Sequence, residues 1–152
     1  MAIAPHGDVI EFGIGGYSTP LLHGLCALSG RKMVSVESNA QWMKELSSYA
    51  SDGHLLVHDP SPHASPIIKS RRWAVAFVDN GQYERKPCLD VIHDRCDIIV
   101  VHDTERPELY AYEPFLTEMF KHRVDLVTKP WRVKTTIVSN TQDISRLKGL
   151  WK

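Results

Sequence analysis

Acids stand where the apolar runs of this chain stop. Glu11 lies within Val9–Phe12, Glu37 follows Met33–Val36, Asp59 comes just after His54–Val57, and Asp79 ends Trp73–Val78. A further run, Asp97–Val101, is followed by His102, Asp103 and Thr104. Packing does not require acids in such places. In open α/β sheets the carboxyl ends of the strands are where ligands bind, so these residues are the ones to examine for chemistry. The first run leads into Gly13-Ile14-Gly15-Gly16-Tyr17-Ser18, a loop whose glycines permit a sharp turn and let a ligand approach the backbone.

Glu37 comes about 20 residues after that loop, the separation at which an acid takes the hydroxyls of an adenosine ribose. It equally suits an acid at the start of the next helix, ahead of Ser38 and Asn39. The adenosine cofactor is narrowed by two residues. Ser18 stands where a dinucleotide fingerprint carries its third glycine. Glu11 would repel a pyrophosphate by roughly 1 kcal/mol or more per close pair, yet it would favour a sulfonium and an α-ammonium. The loop therefore points to S-adenosylmethionine, although Glu11 could instead pair with a lysine or cap backbone amides.

The elements that must position these residues alternate regularly. Val9–Phe12 reads as a buried strand. A helix over Leu21–Leu28 follows, capped by Ser18 or Thr19, with Pro20 in its first turn and Gly30 as its stop. Met33–Val36 is a second strand. Asn39 caps a helix to about Tyr49, with Trp42, Leu46 and Tyr49 at helical spacing, and His54–Val57 is a third strand. A poorer helix interrupted by Pro62 and Pro66 leads to Arg72, and the Lys69, Arg71, Arg72 cluster reads as its solvated end. Trp73–Val78, a helix around Lys86–Asp94, and Asp97–Val101 repeat the pattern. One helix is predicted over Pro107–His122, with Tyr112, Leu116 and Phe120 on one side, before the closing strands Val124–Val127 and Val133–Val138. Continuous apolar strands separated by helices predict an α/β, doubly wound, Rossmann-like fold in one domain. Its sheet is mostly parallel, has helices on both faces and ends in an antiparallel strand pair.

The joint occurrence of several segments resembles the class I S-adenosylmethionine-dependent methyltransferases, and within them the catechol-O-methyltransferase-like and macrocin-O-methyltransferase-like branches. The matching residues are Val9-Ile10-Glu11-Phe12-Gly13, Gly16-Tyr17-Ser18, Val36-Glu37, Ala76-Phe77-Val78-Asp79 with Tyr83-Glu84 and Asp90, and Ile99-Val100-Val101-His102-Asp103-Thr104. The resemblance covers roughly residues 8–140. It implies that Glu11, Gly13, Gly15, Gly16, Tyr17 and Ser18 cradle the methionine part of the cofactor, that Glu37 takes the ribose, and that Asp59 faces the adenine amino group. Asp79 and Asp103 fall where metal-dependent relatives bind magnesium, with Thr104 at the place of a third ligand. The implied reaction is methyl transfer to an oxygen of a small molecule or sugar. Mg2+ would lower the pKa of the acceptor hydroxyl and orient it, and His102 is either a general base or a half-buried histidine at a strand end. Where the family places a histidine and an early lysine after its FVDG segment, this chain has Gln82 and, later, Arg85 and Lys86.

Composition sets the outer bounds. With 18 basic and 18 acidic residues in 152, the net charge is zero, and no basic field suits nucleic acid. No apolar stretch reaches the roughly 20 residues of a membrane span. The start of the chain lacks a signal-peptide pattern. Cys26, Cys88 and Cys96 have neither zinc spacing nor the density of a disulfide framework, which together predicts a reduced, cytoplasmic protein. The first strand begins by Val9, leaving no room for the covering helices of many relatives. That shortness favours a rival reading, a cofactor-binding module or subunit without activity of its own. An oligomer or partner subunit would then meet exposed aromatics such as Tyr110, Trp131 or Trp151. A dinucleotide enzyme and a metal phosphohydrolase built on His58-Asp59, His93-Asp94 and His102-Asp103 are the remaining alternatives.

Overall fold

The computed structural model describes residues 6–110 and 112–149; Trp151 lies outside them. Seven strands form one sheet in the order β3-β2-β1-β4-β5-β7-β6. They are β1 (Val9–Phe12), β2 (Met33–Glu37), β3 (His54–His58), β4 (Trp73–Val78), β5 (Cys96–Val101), β6 (His122–Val127) and β7 (Lys134–Ser139). The first five are parallel, and β7 enters antiparallel between β5 and β6. The architecture expected of the sequence, a Rossmann-like sheet with a reversed strand pair at one end, is the one observed.

Alternation along each strand divides the core into two faces. Ile10, Phe12, Val34, Val36, Ala76, Val78, Ile99 and Val101 fill the larger core with Trp73, Leu89 and Ile92. On the opposite face Val9 and Met33 meet Cys26 of α1 (Ser18–Ser29), while Ile98, Val124 and Ile137 meet Ile144. Asn39 caps α2 (Ala40–Glu45) through its side chain, accepting from the backbone amides of Gln41 and Trp42. Helix α1 ends at Gly30, whose φ of 66° is the left-handed conformation of a helix stop. Two arginines of the basic cluster are paired: Arg71 with Asp8, and Arg72 with Asp97 at 2.6 Å.

Three segments differ from the sequence reading. Helix α2 is shorter, giving way to a 3-10 turn over Ser47–Tyr49, and it buries none of its residues, Trp42 being 45% exposed. The segment before Arg72 holds a 3-10 turn and a single helical turn, α3 (Pro66–Lys69). The helix predicted over 107–122 breaks into two single turns, α5 (Pro107–Tyr110) and α6 (Phe115–Glu118). Pro114 explains the break, because it lacks an amide hydrogen and disfavours helical geometry in the residue before it. Tyr112, Leu116 and Phe120 are still buried together in the larger core.

Register decides what the sheet can do. Phe12 is level with Val36 on one side and Val78 on the other, and Val78 is level with Val101. Gly13, Glu37, Asp79 and His102, each the next residue or the last of its strand, therefore stand in a row along the carboxyl rim.

Candidate functional site

The turn after β1 is held tightly. Gly13 has a φ of 86°, and a Cβ there would come within 2.6 Å of Asn80 Cα and 2.7 Å of Asn80 N. Only glycine lets the β1 loop lie directly on the loop after β4. Beyond it the chain is open: nothing lies within 4 Å of a Cβ built on Gly16, and Tyr17 is 94% exposed. A cleft of about 370 Å3 opens here, lined by Gly13, Ile14, Glu37, Trp42, Asp79 and Asn80 among others.

Glu37 is tied to both sides of this cleft. Its Oε2 accepts from the Ile14 amide at 2.9 Å and its Oε1 from the Asn39 amide at 2.6 Å. The carboxylate thus fixes the first loop and the start of α2 at once, and its remaining lone pairs stay available to a ligand hydroxyl. Asn80, not singled out in the sequence, adds a buried amide on the opposite wall. Its Nδ2 reaches Cys88 Sγ at 3.3 Å, and its Oδ1 has no partner among the described residues. Such an orphaned acceptor is costly unless a donor arrives. Asp59 follows β3 beside Glu37, its amide donating to the Glu37 carbonyl at 2.9 Å; its Oδ1 accepts from the Ser61 amide at 3.0 Å, and it is not among the residues lining the cleft.

Glu11 is fully buried beneath the loop. Its Oε2 accepts from Ser35 Oγ at 2.6 Å and Thr19 Oγ1 at 3.0 Å, while Oε1 has no partner among the described residues. Burial, opposed by those hydroxyls, pushes its pKa up to about 7. Ser35 also meets His54 Nε2 at 2.8 Å, and His54 Nδ1 meets His23 Nδ1 at 3.0 Å, so a hydrogen-bonded chain runs from Glu11 to α1's flank. Burial, and then the neighbouring His23, bring His54 down to about 4, which leaves it neutral.

The second group lies after β4 and β5. One oxygen of each carboxylate of Asp79 and Asp103 and one ring nitrogen of His102 lie within 4.8 Å of one another. His102 Nδ1 is 2.9 Å from Asp103 Oδ1 and 3.5 Å from Asp79 Oδ1. Asp79 foremost, and Asp103 with it, raise the pKa of His102 against the opposing effect of burial. Asp103 adopts a φ of 55°, an uncommon conformation for a residue with a side chain, and its carbonyl accepts from Tyr112 OH at 2.8 Å.

An arginine bridges the two carboxylates of this group. Arg85 projects from the first turns of α4 (Gln82–Ile92) with its side chain only 6% exposed. Its guanidinium donates to Asp79 Oδ1 at 2.8 Å, Asp103 Oδ2 at 3.3 Å, the Asn80 carbonyl at 2.6 Å and the His102 carbonyl at 2.7 Å. Tyr110 covers it, with the ring centroid 4.1 Å away and Tyr112 stacked behind. Magnesium does not fit this donor set as it stands. The two carboxylates already share a fixed monocation, the third neighbour is an imidazole rather than the oxygen magnesium prefers, and a divalent ion would meet Arg85 at close range. Thr104, expected as a third ligand, is turned away: its buried hydroxyl lies 2.6 Å from Thr136 Oγ1 and 3.2 Å from the Lys134 carbonyl. Neither His58-Asp59 nor His93-Asp94 forms a comparable cluster among the described residues.

The sheet order, the rim and the glycine turn define a Rossmann-like fold of the methyltransferase type, and solved structures share it. The chain is similar to human methyltransferase-like protein 13 in complex with SAH, at 11% identity over 94% of this chain and 77% of that one, with a TM-score of 0.68. It is similar to a putative caffeoyl-CoA O-methyltransferase from Staphylococcus aureus, at 9% identity over 88% and 76%, also with a TM-score of 0.68. Spermidine synthase from Thermotoga maritima matches at 12% identity and a TM-score of 0.67, over 95% of this chain but 56% of its own length. No protein-family model and no curated protein matches the sequence. At these identities the likeness is one of fold.

Proposed function

We propose that the chain binds S-adenosylmethionine in the cleft between Glu37 and Asn80 and transfers its methyl group to an oxygen of a small molecule. The observation that carries this reading is the convergence, on one rim, of the Gly13 turn, the Glu37 carboxylate and Asn80. Glu37 is assigned the ribose hydroxyls, Asn80 an amino donor of the adenine, and Trp42 an apolar face for the same ring. The loop from Gly15 to Ser18, open at Gly16 and with Glu11 buried below it, is assigned the methionine part. The fold neighbour bound to SAH supports the choice of cofactor.

When bound, the cofactor would supply an electrophilic methyl group held by Glu37, Asn80 and the first loop. The chain's own residues do the rest. His102 is assigned to take the acceptor's proton. Arg85 takes the place a divalent ion would occupy, holding Asp79 and Asp103 in fixed positions and partly neutralising them. Transfer on this reading needs no metal.

Calorimetric titration with adenosylhomocysteine, with and without magnesium, tests the proposal. Micromolar binding indifferent to magnesium is expected, with at least tenfold weakening in Glu37→Gln. Absence of binding refutes the cofactor assignment, and unchanged affinity in Glu37→Gln refutes the ribose placement. Binding without transfer to any hydroxyl acceptor would instead favour the non-catalytic module.

A further inference from the structure

A second cavity, of about 500 Å3, opens on the same rim at the other side of Asp103. It is lined by Glu105, Arg106, Val127, Trp131, Arg132 and Lys134. These come from two segments: the residues directly after Asp103 and the tip of the β6–β7 hairpin. The segments are joined, since the Thr104 amide donates to the Lys134 carbonyl at 2.8 Å and the Lys134 amide to Glu105 Oε2 at 2.8 Å. Two residues of backbone separate Asp103 from the first cavity-lining cation, Arg106.

The lining is chemically one-sided. Arg72, Arg85 and Arg123 each pair with carboxylates. Arg106, Arg132 and Lys134 form no salt bridge among the described residues, and the single acid in the cavity, Glu105, is engaged by a backbone amide. Three cations thus face one carboxylate in a single concavity of a chain whose net charge is zero, Lys134 also acting on Asp125 of β6. Trp131 adds an indole that is 83% exposed. Arg132 is held at a φ of 57° by the turn in which its amide donates to the Thr128 carbonyl, and a side chain kept in that conformation signals a constrained position. The volume lies within the range of small-molecule sites, and an aromatic wall with a few placed charges is their usual lining.

We infer that this cavity anchors the methyl acceptor and that the acceptor is a small aromatic anion, a ring carrying a phosphate or carboxylate. Arg106, Arg132 and Lys134 take the anionic group, and Trp131 takes the ring. The acceptor role rests on the function proposed above; the anion site does not.

The test uses the whole chain with phenyl phosphate as probe, followed by isothermal titration calorimetry, with inorganic phosphate, phenol and benzoate as parallel arms. Phenyl phosphate or benzoate should bind at least tenfold more tightly than inorganic phosphate or phenol. Arg132→Ala should weaken that binding about tenfold, and Trp131→Ala should abolish the preference for the aryl ion. Both variants should keep wild-type adenosylhomocysteine affinity and melting temperature, since both side chains lie on the surface. Weak binding of every anion, unaltered in Arg132→Ala, would overturn the inference, as would a single-stranded oligonucleotide binding more tightly than phenyl phosphate. Aryl-anion binding together with no adenosylhomocysteine binding would leave this site standing while the methyl-transfer reading fell.

Discussion

Replacing Arg85 with methionine separates the two ways of holding Asp79 and Asp103. One oxygen from each carboxylate lies within 4.8 Å of the other. At that distance two like charges repel by about 3 kcal/mol at an effective dielectric constant of about 20. The guanidinium now offsets this through one bond to each carboxylate and makes two backbone hydrogen bonds besides. Methionine keeps much of the volume under Tyr110 but none of the charge, so Arg85→Met should cost about 3–5 kcal/mol. The domain should still fold, given a usual stability of about 5–15 kcal/mol. The variant also exposes two carboxylates and an imidazole to any divalent ion. If manganese binds it with a dissociation constant of about 1 mM, 10 mM metal should restore about 1.4 kcal/mol, or about 3–6 °C of melting temperature for a chain of this size. Differential scanning fluorimetry with EDTA, magnesium and manganese reads both effects. Wild type should melt at one temperature in all three, while Arg85→Met should melt lower and recover with manganese. A wild-type protein stabilised by metal as strongly as the variant would refute the argument that Arg85 fills the cation's place.

Two further perturbations have worked expectations. Burial holds the pKa of Glu11 at about 7, above its ordinary 4.5, so its contribution to stability is fully present below pH 4.5 and is lost as pH rises through about 7. The change is worth about 3 kcal/mol. Urea midpoints for wild type should fall relative to Glu11→Gln between pH 5 and pH 8, and parallel profiles would contradict the burial argument. Gly13→Ala puts a Cβ against the Asn80 backbone at a positive φ, for a cost of about 3 kcal/mol. Its urea midpoint should drop by roughly 1–2 M, and a shift below about 0.2 M would show that the two loops are not in the contact described.

How much of this could be read from the residues depends on how far each interaction reaches along the chain. The strands were legible because burial on both faces makes them continuous apolar runs, and the carboxyl-rim acids were legible because each follows such a run. The break at Pro114 was signalled locally but was outweighed by the helical spacing of Tyr112, Leu116 and Phe120, which the fold buries without a continuous helix. Arg85 was visible only as a cation falling late after Asp79. Its role follows from the Asn80-Gly81 turn folding α4 back over the rim, and spacing alone does not encode that. Thr104 meets Thr136 because β7, not β6, lies beside β5, a crossover no local pattern announces. Asn80 and Trp42 look like ordinary turn and helix residues until the cleft is seen between them.

The reversed entry of β7 has a consequence for how such a protein changes over time. Every residue assigned to the cofactor belongs to β1, β2, β4 or the loops and helix starts that follow them, in the half of the sheet that precedes β5. Because β7 runs opposite to β5, the 128–133 hairpin tip arrives on the same rim from the other half, level with the chain after Asp103. The tip can lengthen, shorten or alter its charges while the register of the central strands stays fixed. On the proposed reading, acceptor choice and cofactor choice fall on separately variable parts of one sheet, joined at the Arg85 cluster.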